Sequence, residues 1–165
     1  MNATWETLAD RLRDEVQEYG GLLQLFEEQQ ACIFRRDADR LLQLVDAFDL
    51  AARNAEQARL QREACTSAFA VGCGRSAAAT LRSLLPLCED AARPLLEALI
   101  NEVNVLIHRL RRIAHQNHLL LAHTVDLQQS LLREFYPGVF TQTYSAGGRT
   151  SITAAAPLPS YHAAG

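Results

Sequence analysis

Four histidines fall in one stretch of the chain: His108, His115, His118 and His123. On a helix, His115 and His118 stand at i and i+3, a spacing at which two imidazoles can reach one metal ion. A metal site in a helical bundle also needs facing carboxylates or thiolates. The nearest acids, Glu102, Asp126 and Glu134, make no Glu-x-x-His pattern with these histidines, so the histidines read as solvated or capping side chains. The cysteines Cys32, Cys65, Cys73 and Cys88 form no C-x-x-C pair. They read as reduced, half-buried small hydrophobes rather than a zinc or disulfide framework. The run Gly72-Cys73-Gly74-Arg75-Ser76 has the glycines of a phosphate loop, but neither a preceding strand nor the G-K-[ST] ending. Glu27, Glu28 and the RDADR cluster at 36–40 suit solvated helix faces and caps. With no Ser/His/Asp order and no Cys–His pairing, the residues point to no enzyme, no catalytic residue, no metal and no cofactor.

Composition narrows the class further. The 165 residues carry a net charge of −3, and all 16 basic residues are arginine. That balance argues against bulk electrostatic binding of nucleic acid, which needs a basic surface. The chain is 48% hydrophobic, enough for a core, yet no run approaches the roughly 18–20 uncharged apolar residues of a membrane span. The opening MNATWETLADRLRDE lacks the basic and apolar regions of a secretion signal. One cytoplasmic domain without membrane insertion is the expectation.

The elements that must position any site are helices. A first helix is expected over about 4–34, with apolar residues at Trp5, Leu8, Leu12, Tyr19, Leu22, Phe26 and Ile33 and polar breaks at Glu15 and Gln29. Ala9, Val16 and Leu23 add a neighbouring ridge, so the stripe suits two helical neighbours. Gly20-Gly21 interrupts it, marking either a kink or a close contact. The stripe breaks at FRRDADR and restarts one position later at Leu41. Asp37 or Asp39 suits the next N-terminus, which predicts a tight turn without glycine or proline; one bent helix is the rival. A second helix is expected over 38–70, with Leu41, Leu44/Val45, Phe48, Ala51/Ala52, Ala55, Ala58, Cys65 and Phe69 as its ridge. Its alanine-rich middle permits close approach. Gly72 and Gly74 end it. Ser76 then caps a short helix over 76–85, stopped by Pro86.

The third long helix is expected over 90–135, with Pro94 near its first turn. Its main ridge is Leu99, Val103, Leu106, Leu110, Ile113, Asn117, Leu120, Thr124, Leu127 and Leu131, a 3/4 heptad spacing. A second ridge includes Leu96, Ile100, Ile107, Leu121, Val125, Leu132 and Phe135. The fold class is all-α: a long antiparallel hairpin plus a longer third helix, a coiled-coil-like three-helix bundle over 1–135. A hairpin of about 45–50 Å cannot cover a helix of about 65–70 Å. If the excess is C-terminal, Leu120, Leu121, Val125, Leu127, Leu131, Leu132 and Phe135 form a face for another amphipathic helix. Coverage of one end by the short helix, or homodimerisation, would serve as well.

From Tyr136 the composition changes. Residues 136–165 hold three of the five prolines, four of the eight glycines and no acid. Such a segment buries too little to offset ordering and is expected to be a flexible, disordered tail. Yet Tyr136, Phe140 and Tyr144 follow Phe135 closely.

Three features together resemble the FlgN-type flagellar export chaperones. They are the start WETLADRLRDE with Tyr19 and LLQL; LINEVNVLIHRL, in which Asn101 and Asn104 match an N-x-x-N-x-L-I segment; and TYSAGGRTS, in which Tyr144, Gly148, Thr150 and Ser151 match a Y-G-x-x-G-x-T-S tail. Ser145 departs from that pattern, where the family usually has glycine. The resemblance spans about residues 5–151. It implies a cytoplasmic chaperone of type III protein export in flagellum assembly. Such a protein binds the amphipathic C-terminal helices of hook-associated (hook–filament junction) proteins and delivers them to the export gate and export ATPase complex. Carried over, the third helix beyond about Leu120 holds cargo and Tyr144, with Gly148, docks at the gate; the free protein is a monomer or weak homodimer. The alternatives are a structural coiled-coil adaptor or homodimer without cargo, and a metal-binding helical bundle.

Overall fold

The computed structural model describes residues 4–135, 140–144 and 150–154. The chain divides into two compact units, Met1–Leu119 and Leu120–Gly165. Its described helices are α1 (Trp5–Arg35), α2 (Ala38–Gly72), a single-turn α3 (Leu81–Leu84) running into a 3₁₀ turn (Leu85–Leu87), and α4 (Arg93–Phe135). The architecture is the all-α bundle that the hydrophobic spacing predicts.

In the first unit, α1 begins at Thr4, whose hydroxyl accepts from the Thr7 amide at 3.3 Å and so satisfies one free donor of the first turn. It ends on Arg36, held in the left-handed region at φ 59°. The Arg36 and Asp37 amides donate back to the Ile33 and Cys32 carbonyls at 3.1 and 3.0 Å, the doubly bonded ending usually built on glycine. Asp37 then caps α2, its Oδ1 accepting from the Arg40 amide at 3.0 Å. The Arg40 guanidinium reaches across the turn to Glu28, at 2.9 Å from Nε and 2.7 Å from Nη2. The turn is tight and lacks glycine and proline, as expected, and α1 and α2 are separate helices.

The hairpin closes along an apolar seam. Ala55 and Ala58 are buried, and their small side chains let α1 and α2 approach closely. The Phe26 and Phe48 rings meet at 4.9 Å. Gly20 and Gly21 mark no close contact: the helix assignment runs through them, and a Cβ at either position meets nothing within 4 Å.

The polar break at Glu15 is wholly buried. It accepts from Arg62 Nε at 2.7 Å and from Nη2 at 3.4 Å, so the charge enters the core with its partner. The short helix does not start at Ser76. The Ser76 hydroxyl accepts from the Ala78 amide two residues on, a local turn that competes with helix; Thr80 caps α3 instead. Pro86 lies inside the 3₁₀ turn rather than stopping it. Gly74, at φ +70°, terminates α2, with Arg75 donating to the Ala70 carbonyl at 2.9 Å. The glycine-rich run is a helix ending.

Helix α4 opens at Arg93, with Pro94 in its first turn, where a missing amide costs nothing. Leu96, Ile100, Val103, Leu106, Leu110 and Ile113 join Leu8, Leu12, Tyr19 and Leu23 of α1 and Phe69 and Ala70 of α2 in one core. Helix α4 runs parallel to α1: Leu12 shares a cleft with Ile100 and Val103, Glu27 faces Arg109 at 3.6 Å, and Phe26 is bonded to Asn117.

In the second unit, the described residues beyond α4 form two short strands. Strands β1 (Phe140–Tyr144) and β2 (Thr150–Ala154) pair antiparallel, with Phe140 opposite Ala154 and Tyr144 opposite Thr150. Thr141, Thr143, Thr150 and Thr153 favour extended backbone here.

Candidate partner-binding face

The heptad row on α4 changes surroundings along its length. From Leu96 to Asn117 it is buried at every 3/4 step. Beyond Asn117, no described residue of the helix is buried. Leu120 and Leu121 are half-buried. Val125, Leu127, Leu131 and Leu132 are 48%, 50%, 45% and 45% exposed, and Phe135 is 72% exposed. All seven are the residues the sequence singles out.

At about 100° per residue these seven side chains occupy one sector of the helix, under half of its circumference. Thr124 and Gln128 lie within that sector. The Thr124 hydroxyl donates to the Leu120 carbonyl at 2.8 Å, so its one donor is already used on its own helix. The sector therefore combines aliphatic side chains, one aromatic ring and few free polar groups. It can bury apolar area against another amphipathic helix; it holds nothing that could move a proton or bind a metal.

Where the buried row ends, the core turns polar. Asn117 is 1% exposed. Its Nδ2 donates to the Phe26 carbonyl at 2.8 Å and to Gln29 Oε1 at 2.9 Å, while its Oδ1 is buried without a partner. A second polar seam lies deeper, where Tyr19 stands near the Glu15–Arg62 pair. Burial first, then the charge and acceptor oxygens of Glu15, push the Tyr19 hydroxyl up to about 12. Sequence reading placed Asn117 on the ridge and Glu15 at a break, but it missed Arg62. The available signal was a lone acid on an apolar stripe, which demands a cation across the interface.

The other singled-out residues fall as follows. Asn101 and Asn104 are exposed on α4; Arg82 Nη2 donates to Asn101 Oδ1 at 3.3 Å, and Asn104 lines a shallow cleft of about 350 Å³ with Arg82 and Leu81. Tyr144 is the last residue of β1. Gly148 lies outside the described residues. His108, His115, His118 and His123 are all exposed, and among the described residues no three His, Cys, Asp or Glu side chains gather as a metal would require. Burial pushes the thiols of Cys65 and Cys88 up, away from the thiolate that nucleophilic chemistry needs. Among the described residues, no helix is long and apolar enough to cross a membrane.

Comparison with known proteins adds one finding. The family model described as FlgN protein matches residues 1–152. No curated protein and no solved structure was found to match.

Proposed function

The chain belongs to the FlgN family of flagellar export chaperones, and from that premise we propose that Leu120, Leu121, Val125, Leu127, Leu131, Leu132 and Phe135 hold cargo. The cargo is the amphipathic C-terminal helix of a hook-associated protein. The observation that carries this reading is the exposure of a mainly apolar sector on α4 after the buried row has ended. Such a sector gains about 25 cal/mol for each Å² of apolar surface it buries, and so does the cargo helix, which would otherwise associate with its own kind. Binding through apolar packing alone lets the chaperone exchange one helix for another without covalent chemistry or nucleotide.

The bundle over 1–135 then acts as the holder in the cytoplasm, and residues 136–165 act as the delivery arm. Tyr144 and Gly148 dock at the export gate, with the export ATPase complex nearby. An arm joined to the holder raises the effective concentration of cargo at the gate.

The test is capture of purified hook-associated proteins by four forms of the chain: intact, truncated after Leu119, Leu127→Ser/Leu131→Ser, and Tyr144→Ala. Capture by the intact chain, its loss in the truncated and double-serine forms, and its retention in Tyr144→Ala support the reading. If the intact chain captures none of them and runs as a stable dimer, the sector is a homodimer seam and the proposal fails.

A further inference from the structure

The row Val103, Leu106, Leu110, Ile113, Asn117, Leu120, Thr124, Leu127, Leu131 repeats every seven residues. A repeat of this kind is nearly unchanged by a slide of one heptad, about 10.5 Å along the axis. Slid by seven, Leu110 takes the place of Val103, Ile113 that of Leu106, and Leu120 that of Ile113. Apolar area alone hardly distinguishes the two registers, and in the slid one the leucines beyond Asn117 move toward the core that α4 now fills with Leu106–Ile113.

One residue of the row distinguishes them. Asn117 carries its amide into a site 1% exposed, where the Phe26 carbonyl and Gln29 Oε1 both accept from it. In the slid register it would occupy the place of Leu110, among apolar neighbours, with its amide unpaired. Thr124, already bonded to the Leu120 carbonyl, would arrive opposite Gln29. An asparagine whose own Oδ1 goes unpartnered is a poor choice for stability, and a buried polar group of this kind is best attested as a determinant of register.

We infer that Asn117, with Gln29 and the Phe26 carbonyl, fixes the register of α4 against α1 and thereby keeps the apolar residues beyond it out of the chain's own core. Asn117 is a positioning residue; the inference stands whatever those residues bind.

The test is Asn117→Leu in the full chain, read by thermal unfolding and by amide hydrogen exchange along α4. The expected result is an unfolding midpoint equal to or above that of the parent, with protection redistributed: gained over residues 120–127 and lost near 96–103. A Gln29→Leu variant, which removes the acceptor but keeps Asn117, should lower the midpoint. An Asn117→Leu chain that keeps the parental exchange pattern, whatever its midpoint, shows that the register is held elsewhere, as by the buried Leu84, Cys88 and Ala92 ahead of the helix, and overturns the inference. So does an Asn117→Leu chain that fails to fold.

Discussion

Residues 96–117 and 120–135 of α4 share one helix and one spacing of apolar residues, but the first stretch is buried and the second is not. Periodicity cannot tell them apart: Leu106 and Leu127 look alike in sequence. The difference lies in what faces them. The first stretch meets Leu8, Leu12, Tyr19 and Leu23 of α1 and Phe69 of α2; the second keeps about half of Leu127, Leu131 and Leu132 in solvent. An amphipathic stripe therefore specifies that a helix wants a partner, not that the partner belongs to the same chain.

Substitutions can break this contrast, and their expected effects fall over a wide range. The largest is Arg62→Ala, which strands the buried Glu15 carboxylate; urea unfolding should show a loss of about 3–5 kcal/mol. Leu110→Ala follows, at about 2–5 kcal/mol by the same measurement. Alkaline pH acts on the same core. The Tyr19 hydroxyl is raised to about 12 in the folded chain, against about 10 unfolded, so the folded state holds its proton more tightly. Its contribution to stability is whole below about pH 10 and falls away as pH rises toward 12; Tyr19→Phe should flatten that decline in a series of unfolding curves. Gly21→Ala should raise stability by about 1 kcal/mol, because the added methyl meets open space. Smallest is Leu131→Ser, with a change within about 0.5 kcal/mol, although it removes part of the proposed cargo face. A large stability loss from Leu131→Ser would mean that the second stretch is covered after all.

Much of the fold was legible because it rests on local signals. The 3/4 spacing marks α1, α2 and α4, and Asp37 marks the start of α2. What escaped was decided across the chain or by competing local bonds. Glu15 reads as polar until Arg62, on the other arm of the hairpin, is placed beside it. Ser76 reads as a cap, but its hydroxyl bonds within its own turn. Arg36 adopts the left-handed conformation without a glycine to announce it, held there by two returning amide bonds. The apolar residues of the cargo face were legible as a stripe. Their exposure was inferred from helix lengths alone, and it is the feature that separates a binding face from a core.

The most direct measurement is hydrogen exchange along α4, with and without the purified C-terminal helix of a hook-associated protein. The expected result is strong protection over 96–117 in both states and protection over 120–135 only when the helix is added. Unchanged exchange over 120–135 in the presence of saturating helix, or new protection confined to 96–117, would contradict the assignment of the second stretch as the cargo face.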